Sequence, residues 1–511
     1  MAPNVSLNSV PHCQRLFGAV LGMLLVGCAS FRDIAPHSSV QQSSTADTAL
    51  RLPDQGGAWP DLQWAGSFGG APLQALVDEA IAGNPGLEVA AARIVAAQAA
   101  ADLAGAGALP TTGANFSATR QRYTENGIIP PPLAGRYATA SQMTVNVRYD
   151  FDFWGKNGAA LRTALSQRKL AEAEQYNARL VLTTAVARSW LQLGRAGAQS
   201  DLVMQQLQAR EALDRLTRQR IVSGLDNQSD AQASLQQVAA LRAEHAQWQE
   251  QMALARNQLA ALLGRGPDRG LTIAQPVFPQ AGSVALPSAL PMHLVGRRPD
   301  IVAARWRVEA AQGQIDYARA QFYPDIDLMA FAGFSSLGLS NLLKSGSRIV
   351  GAGPAITLPV FEGGTLRARL SSQVATFDGA VAAYNQSLTD ALRDVADQVQ
   401  SLRAADIAAA SQQEATAAAS RALALAQQRR RVGTFNQLQL IASEAVLLAQ
   451  RRIDTDAQAR RLDLRVALIK ALGGGFDAAD ERLDIREVHE TPKVLPLPGA
   501  AMPISANKST S

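Results

Sequence analysis

Cysteine, histidine and aromatic side chains are all scarce in this chain, and each scarcity removes a class of function. The 511 residues include two cysteines and five histidines, and Phe, Trp and Tyr together make up 5%. Both cysteines, Cys13 and Cys28, fall near the N-terminus, so no disulfide framework is available to the body of the chain. No histidine has a ligand partner at i+4, and the one beside a cysteine, His12 next to Cys13, lies in the N-terminal leader, so no metal site is expected. The G-x-x-x-x-G-K-[ST] phosphate loop is missing, and with it the expectation of nucleotide binding. No nucleophile and base stand out as a constellation, so the chain is not expected to be an enzyme. Beyond the N-terminal leader no run approaches ~18 consecutive apolar residues. If the body crosses a membrane, it must do so as β-strands. Charged residues are 18% and the net charge is +5, with bases interleaved among acids. That pattern reads as solvated helix faces and not as a nucleic-acid surface. Hydrophobic residues are 47%, many of them alanine, a mixture that suits long helices.

The leader has a basic residue, Arg15, followed by an apolar core from Leu16 to Val26. That core is too short to span a bilayer and reads as a secretory signal. It ends in Leu25-Val26-Gly27-Cys28, which resembles the lipobox of bacterial lipoproteins. The resemblance implies that residues 1–27 are removed as a signal peptide and that Cys28 carries a covalent lipid on sulfur. Thiolate catalysis is then excluded as well, and no other cofactor is expected. Ala29 in place of Asp implies, for such lipoproteins, export to the outer membrane. Residues 28–70 are rich in Ser, Gln, Pro and Gly and read as lipid anchor and linker. Residues 476–511 lose periodicity and read as a loose tail.

Between these ends the sequence repeats itself. Asn84-Pro85 and Arg298-Pro299-Asp300 each place proline at the start of an alanine-rich helix. Ala108-Leu109-Pro110 and Phe322-Tyr323-Pro324 each mark a strand start. Tyr176-Asn177 and Tyr384-Asn385 match within long helices, and Gly224 and Gly433 each break a helical region. The spacing is roughly 208 residues throughout. Residues 71–290 and 291–475 are therefore expected to be two structural repeats.

Each repeat carries a strand pair. From Gln142 to Phe153 apolar residues alternate with polar ones, Met143, Val145, Val147, Tyr149, Phe151 and Phe153 sharing a face. The expected strands are 111–122, 141–153, 324–335 and 349–361. Their length and alternation fit barrel strands that face lipid on one side and a watery lumen on the other, although a soluble sandwich strand would alternate in the same way. Four strands cannot close around water, since ~8 leave room only for side chains. A lipid-exposed edge cannot remain unpaired. If the strands span a membrane, several chains must share one barrel.

The helices from about 158 to 222 and from 364 to 431 each exceed sixty residues, roughly 100 Å at ~1.5 Å per residue. Val238, Leu241, His245, Trp248, Met252, Ala255, Leu259 and Leu262 keep a 3,4 spacing, the seam of a coiled coil. Ala445, Leu448, Arg452, Thr455, Ala459, Leu462, Val466 and Ile469 repeat it. On this seam His245 and Trp248 read as packing.

With these elements in place, the chain resembles the TolC-like outer membrane factors, in particular their lipoprotein branch, the NodT-type components of RND drug-efflux systems. The residues that carry the resemblance are Cys28, Asn84-Pro85-x-Leu87, Asp152-Phe153-Trp154-Gly155-Lys156, Arg297-Arg298-Pro299-Asp300-Ile301, Phe322-Tyr323-Pro324, Leu358-Pro359-Val360-Phe361-x-Gly363-Gly364 and Val432-Gly433. It implies a mainly α chain with membrane β-strands, four per chain in a shared twelve-stranded outer-membrane barrel, and a helical periplasmic tunnel formed by a homotrimer. The implied role is the exit duct of a tripartite efflux system, passively conducting small molecules such as drugs. Its implied partners are a periplasmic adaptor, an inner-membrane pump and outer membrane lipids. A duct for type I secretion, and a lipid-anchored scaffold without a pore, are the alternatives.

The resemblance also places Gly224 and Gly433 in turns at the periplasmic tip. Family members carry gate acids just beyond the second glycine, at positions that fall here on the uncharged Gln439 and Ala442; Glu444 is out of phase by two residues. Asp230 matches a family acid that latches helix pairs together. Its expected partners here are Arg430 or Arg431.

Overall fold

The computed structural model describes residues 31, 33–41, 58–277 and 296–478. The chain runs α1 (Trp64–Gly83), α2 (Pro85–Ala106), β1 (Thr111–Arg122), β2 (Tyr137–Asp150), α3 (Lys156–Val222), α4 (Gln228–Leu262) and α5 (Pro267–Leu271). The second half gives α6 (Pro299–Ala320), β3 (Asp325–Leu337), β4 (Arg348–Thr357), α7 (Thr365–Arg431) and α8 (Gln437–Ala471). The four strands form one antiparallel sheet in the order β1-β2-β3-β4. The two 67-residue helices α3 and α7 carry the fold away from it.

The repeat is present, but its spacing is not uniform. α6 begins 214 residues after α2, at 299 against 85, whereas α7 follows α3 by 209, at 365 against 156. The same 209 separates α8 from α4, at 437 against 228. The five-residue difference falls within the hairpins, so the helical parts are equal and the strand parts are not. One matched pair dissolves on this alignment. Tyr176 aligns with Asn385, one place beyond Tyr384. Their surroundings differ too. Tyr384 is buried in the α6–α7 core with Ile301, Val308 and Val381, while the Tyr176 ring lies 5.2 Å from Phe476.

β1 spans Thr111–Arg122 as expected, and the other three strands differ from expectation at their ends, for local reasons. β2 stops at Asp150. Phe151 still donates to the Ile326 carbonyl, but Phe153 N–H turns back to Phe151 O at 2.8 Å. Gly155, at φ 73°, then admits the chain to α3. β2 starts early, at Tyr137, because its small Ala and Thr residues pair with β1 without any hydrophobic signal. β3 starts after Pro324, which has no N–H to give. β4 ends before Leu358-Pro359, and residues 358–361 leave the sheet.

Two segments expected to be loose are partly docked. Residues 33–41 lie as a strap against α7. The Asp378 carboxylate accepts from His37 N at 3.1 Å and Ser38 N at 2.9 Å, and Asn385 accepts from Gln41 N while donating to Ser39 O. Asp33 pairs with Arg367. α1 begins at Trp64, inside the expected linker, and kinks where Gly70 takes φ 64° ahead of Pro72. At the other end Phe476 is buried beside Ala173 and Val302. Asp477 pairs with Arg297 at 2.9 Å. Residues 479–511 lie outside the described residues.

The principal core sits where α1, α3, α4 and α8 converge, with Leu73, Val186, Trp190, Leu259 and Val466 at its centre. Both predicted seams run into it, and every seam position is buried or half-buried. A matched clasp closes each repeat here. Asn84 caps α2, accepting from Gly86 N, and donates through Nδ2 to Leu262 O, the last residue of α4, at 2.8 Å. Arg298, at the equivalent position before α6, donates to Ala471 O, the last residue of α8, at 3.3 Å.

Candidate functional site: sheet, equator and tip

The strand register sorts the side chains onto two faces. Met143, Val145, Val147 and Tyr149 of β2 stand opposite Phe334, Ala332, Ala330 and Leu328 of β3. β1 extends that row with Phe116 and Ala114, and β4 with Val350, Ala352 and Ile356. The reverse face is polar on β1 and β2, with Asn115 and Ser117 beside Gln142, Thr144, Asn146 and Arg148, and carries Met329 and Phe331 on β3. An apolar face for hydrocarbon and a polar face for water is the division that barrel strands need. The apolar row is solvent-exposed within the single chain, with Phe116 59% and Val350 84% accessible. β1 and β4 each pair along one edge only.

Charge concentrates where the sheet meets the helices. On the polar face Arg148 pairs with Asp327 at 2.6 Å. Lys156, at the start of α3, pairs with Asp325 at 2.6 Å and Asp150 at 3.4 Å. Burial opposes its charge, but the two carboxylates outweigh burial and hold its pKa above the ordinary lysine value. Asp152 supplies the missing cap for α3, accepting from Asn157 N and Gly158 N. Trp154 stacks on Tyr323 at 4.6 Å and donates to Pro324 O at 2.9 Å, joining the two repeats. Aromatic rings with one polar handle suit a membrane boundary.

At the far end the two helix pairs turn back by one design. Gly224 at φ 73° and Gly433 at φ 79° occupy the left-handed region. Gly224 N donates to Ile221 O and Leu225 N to Arg220 O; Gly433 N donates to Arg430 O and Thr434 N to Arg429 O. Both are Schellman caps. Each next helix then starts with a capping box: Asn227 with Asp230, and Asn436 with Gln439. Gln439 is thus the structural counterpart of Asp230, and its amide serves the backbone by accepting from Asn436 N at 3.0 Å.

The structure brings Gly224 and Asp230 together in one tip turn, and Arg430, Arg431, Gly433 and Gln439 in the other. It does not join Asp230 to Arg430 or Arg431 within the chain. Asp230 Oδ2 accepts from Asn227 N at 3.2 Å, and among the described residues no ion pair links it to either arginine. Ala442 and Glu444 are exposed. Cys28 lies outside the described residues.

Several contributors were not singled out from the sequence. Asn227 and Asn436 could have been found, since each stands three residues before a side chain able to complete a box. Arg220 pairs with Asp226 at 2.8 Å across the first turn, which proximity alone suggests. Arg452 was read as a seam position, yet it reaches Glu244 of α4 and Gln199 of α3. No one-dimensional pattern carries that three-helix contact.

Comparison with known proteins accords with this geometry. The chain is 32% identical to the multidrug resistance outer membrane protein MdtP of Escherichia coli K12 over 479 residues, 91% of this chain and 97% of that one. It is 34% identical over 357 residues to the fusaric acid resistance protein FusA of Burkholderia cepacia, covering 69% of this chain and 67% of FusA. The crystal structure of the outer membrane protein VceC from Vibrio cholerae superimposes with a TM-score of 0.75 at 37% identity, over 82% of this chain and all of that one. The family described as outer membrane efflux protein matches residues 76–265 and 290–474. These two matched blocks run from within α1 through α4 and from just before α6 to the end of α8, and the chain belongs to the outer membrane efflux protein family.

Proposed function

We propose that three copies of this chain share one twelve-stranded barrel and form the exit duct of a tripartite efflux system, passively passing drugs and other small molecules outward. The observation that carries this reading is the sheet. It has four strands, two open edges, and an apolar row backed by a polar face. Such a sheet is stable in lipid only if its edges meet those of other copies. The multidrug and fusaric acid resistance named for two relatives accords with small-molecule cargo. A periplasmic adaptor and an inner-membrane pump are the partners this role requires, since work on the cargo must come from elsewhere. The deciding experiment measures planar-bilayer conductance and oligomeric mass on one sample of the full-length lipidated protein. Discrete channels from a trimer are expected; a monomer, or a trimer without channels, overturns the proposal.

The lipid anchor at Cys28 belongs to the same reading. Phe31 packs on Phe322 at 4.9 Å and on Tyr323 at 6.4 Å, immediately before β3. Cys28 is three residues upstream and reaches no farther than about 11 Å from Phe31. That short tether to a residue packed just before β3 supports an acyl chain on Cys28 entering the membrane near the sheet's boundary.

A latch between Asp230 and Arg430 or Arg431 of facing helix pairs is proposed to hold the tip closed. Asp230 also caps α4, so its removal alters two things at once. Arg430→Gln with Arg431→Gln is the cleaner test. Single-channel conductance should rise; an unchanged value sinks the latch.

A further inference from the structure

The two tip arms are equal in length but unequal in charge. Residues 205–245 of the first arm hold five basic and five acidic side chains, a balance of zero. Three of its five arginines are also matched locally: Arg218 with Asp214 at 2.7 Å, Arg220 with Asp226 at 2.8 Å, and Arg242 with Glu211 at 2.6 Å. The equivalent stretch of the second arm, 414–454, holds six arginines against three acids, a balance of +3. Arg429, Arg430 and Arg431 end α7 in succession. All three are exposed, and none forms an ion pair among the described residues.

A cation in the last turn of a helix is favoured by the helix dipole, but that effect is confined to the terminal turn and is satisfied by one residue. α3 ends with one such residue, Arg220. Three in succession do something different. Consecutive helical residues are about 100° apart, so whichever way the arm rotates, one guanidinium lies within about 80° of the lumen direction. Beyond the turn the next helix presents the uncharged Gln439 and Ala442 and one exposed acid, Glu444, so the three arginines outnumber the carboxylates on this side of the turn. A ring of like charge at a narrow, low-dielectric mouth raises the local concentration of counter-ions.

Resting on the exit-duct reading, we propose that the Arg429–Arg431 cluster makes the periplasmic mouth an anion filter, favouring organic anions such as carboxylates over cationic solutes. The test uses the full-length lipidated protein in a planar bilayer under a KCl gradient. Chloride should permeate about threefold or more better than potassium. The variant R429Q/R430Q/R431Q should lose most of that preference, whereas R242Q, which removes an already paired arginine, should keep it. The preference should also shrink as salt rises and screening shortens. A cation-preferring wild type, or a triple variant with unchanged selectivity at unchanged trimer mass, overturns the filter and leaves the duct standing. Absence of any channel overturns the duct itself.

Discussion

Arg298 is the residue on which the second repeat closes. It is 9% exposed, bonds Ala471 O, and pairs with Asp300 at 2.6 Å and Asp394 at 3.6 Å. Burial acts against its charge, and the two aspartates overcome that and hold its pKa above the ordinary value. The first repeat makes the same clasp with the neutral Asn84. Arg298→Ala removes charge-assisted hydrogen bonds while leaving both aspartates, and should cost about 2 kcal/mol. Thermal unfolding in detergent should show a lower midpoint, and a wild-type midpoint would refute the clasp. A second residue-scale effect depends on pH. Arg269 donates to Glu79 at 2.8 Å and holds its carboxyl below the usual 4.5. A depressed carboxyl stabilises above its unfolded value and loses that contribution as pH falls below about 4.5. The pair is part-exposed, so the loss is at most about 1 kcal/mol. Hydrogen-exchange protection at α5, taken relative to the intrinsic amide rate at each pH, should fall in acid, and Glu79→Gln should abolish that fall. The capping role of Asn84 was legible from Asn-Pro alone. The role of Arg298 was only half legible, since the motif marks the helix start but not the carbonyl that lies 173 residues further along the chain.

Among the elements, the sheet shows what alternation can and cannot reveal. Period two identified the apolar face of β2, while the other three strands alternate less cleanly and their faces emerge only from the pairing. It failed at the ends, where hydrogen bonds decide and Pro324, Gly155 and Pro359 interrupt the ladder. It was also silent on how closely the strands approach. Gly333 lies in β3 opposite Thr144, and a Cβ there would run into the Met143 carbonyl oxygen. Gly353 in β4 has open space around the same position. Gly333→Ala should therefore disrupt the β2–β3 ladder and reduce the yield of folded, heat-resistant oligomer. Gly353→Ala should be tolerated. Equal yields from the two variants would contradict this packing. The strap was read as a linker because its composition is that of one. Beside the Asp33–Arg367 pair, what docks it is backbone N–H donation to Asp378 and Asn385, which leaves no pattern in the strap's own side chains.

For the whole molecule, α2 carries an unspent apolar surface. An 18-residue window of it reaches a mean hydropathy of 1.3, and Val95 and Leu103 remain 69% and 76% exposed. With two open strand edges in the same chain, an exposed apolar helix is expected to meet another copy. Val95→Glu with Leu103→Glu should shift the proposed trimer towards monomer by light scattering. A trimer of undiminished stability would place the interface elsewhere. The duplication itself was visible in sequence, but its two offsets were not, because a five-residue difference inside hairpins of low similarity is hidden until the strands are paired. That difference has a bearing on descent. The helical columns come in equal lengths, 67 with 67 and 35 with 35. An insertion in any one column would throw its seam out of phase and leave one turn projecting past the other. Hairpin loops face no such partner. Column length is therefore inherited as a linked set that can change only in concert, while the hairpins are free to drift alone.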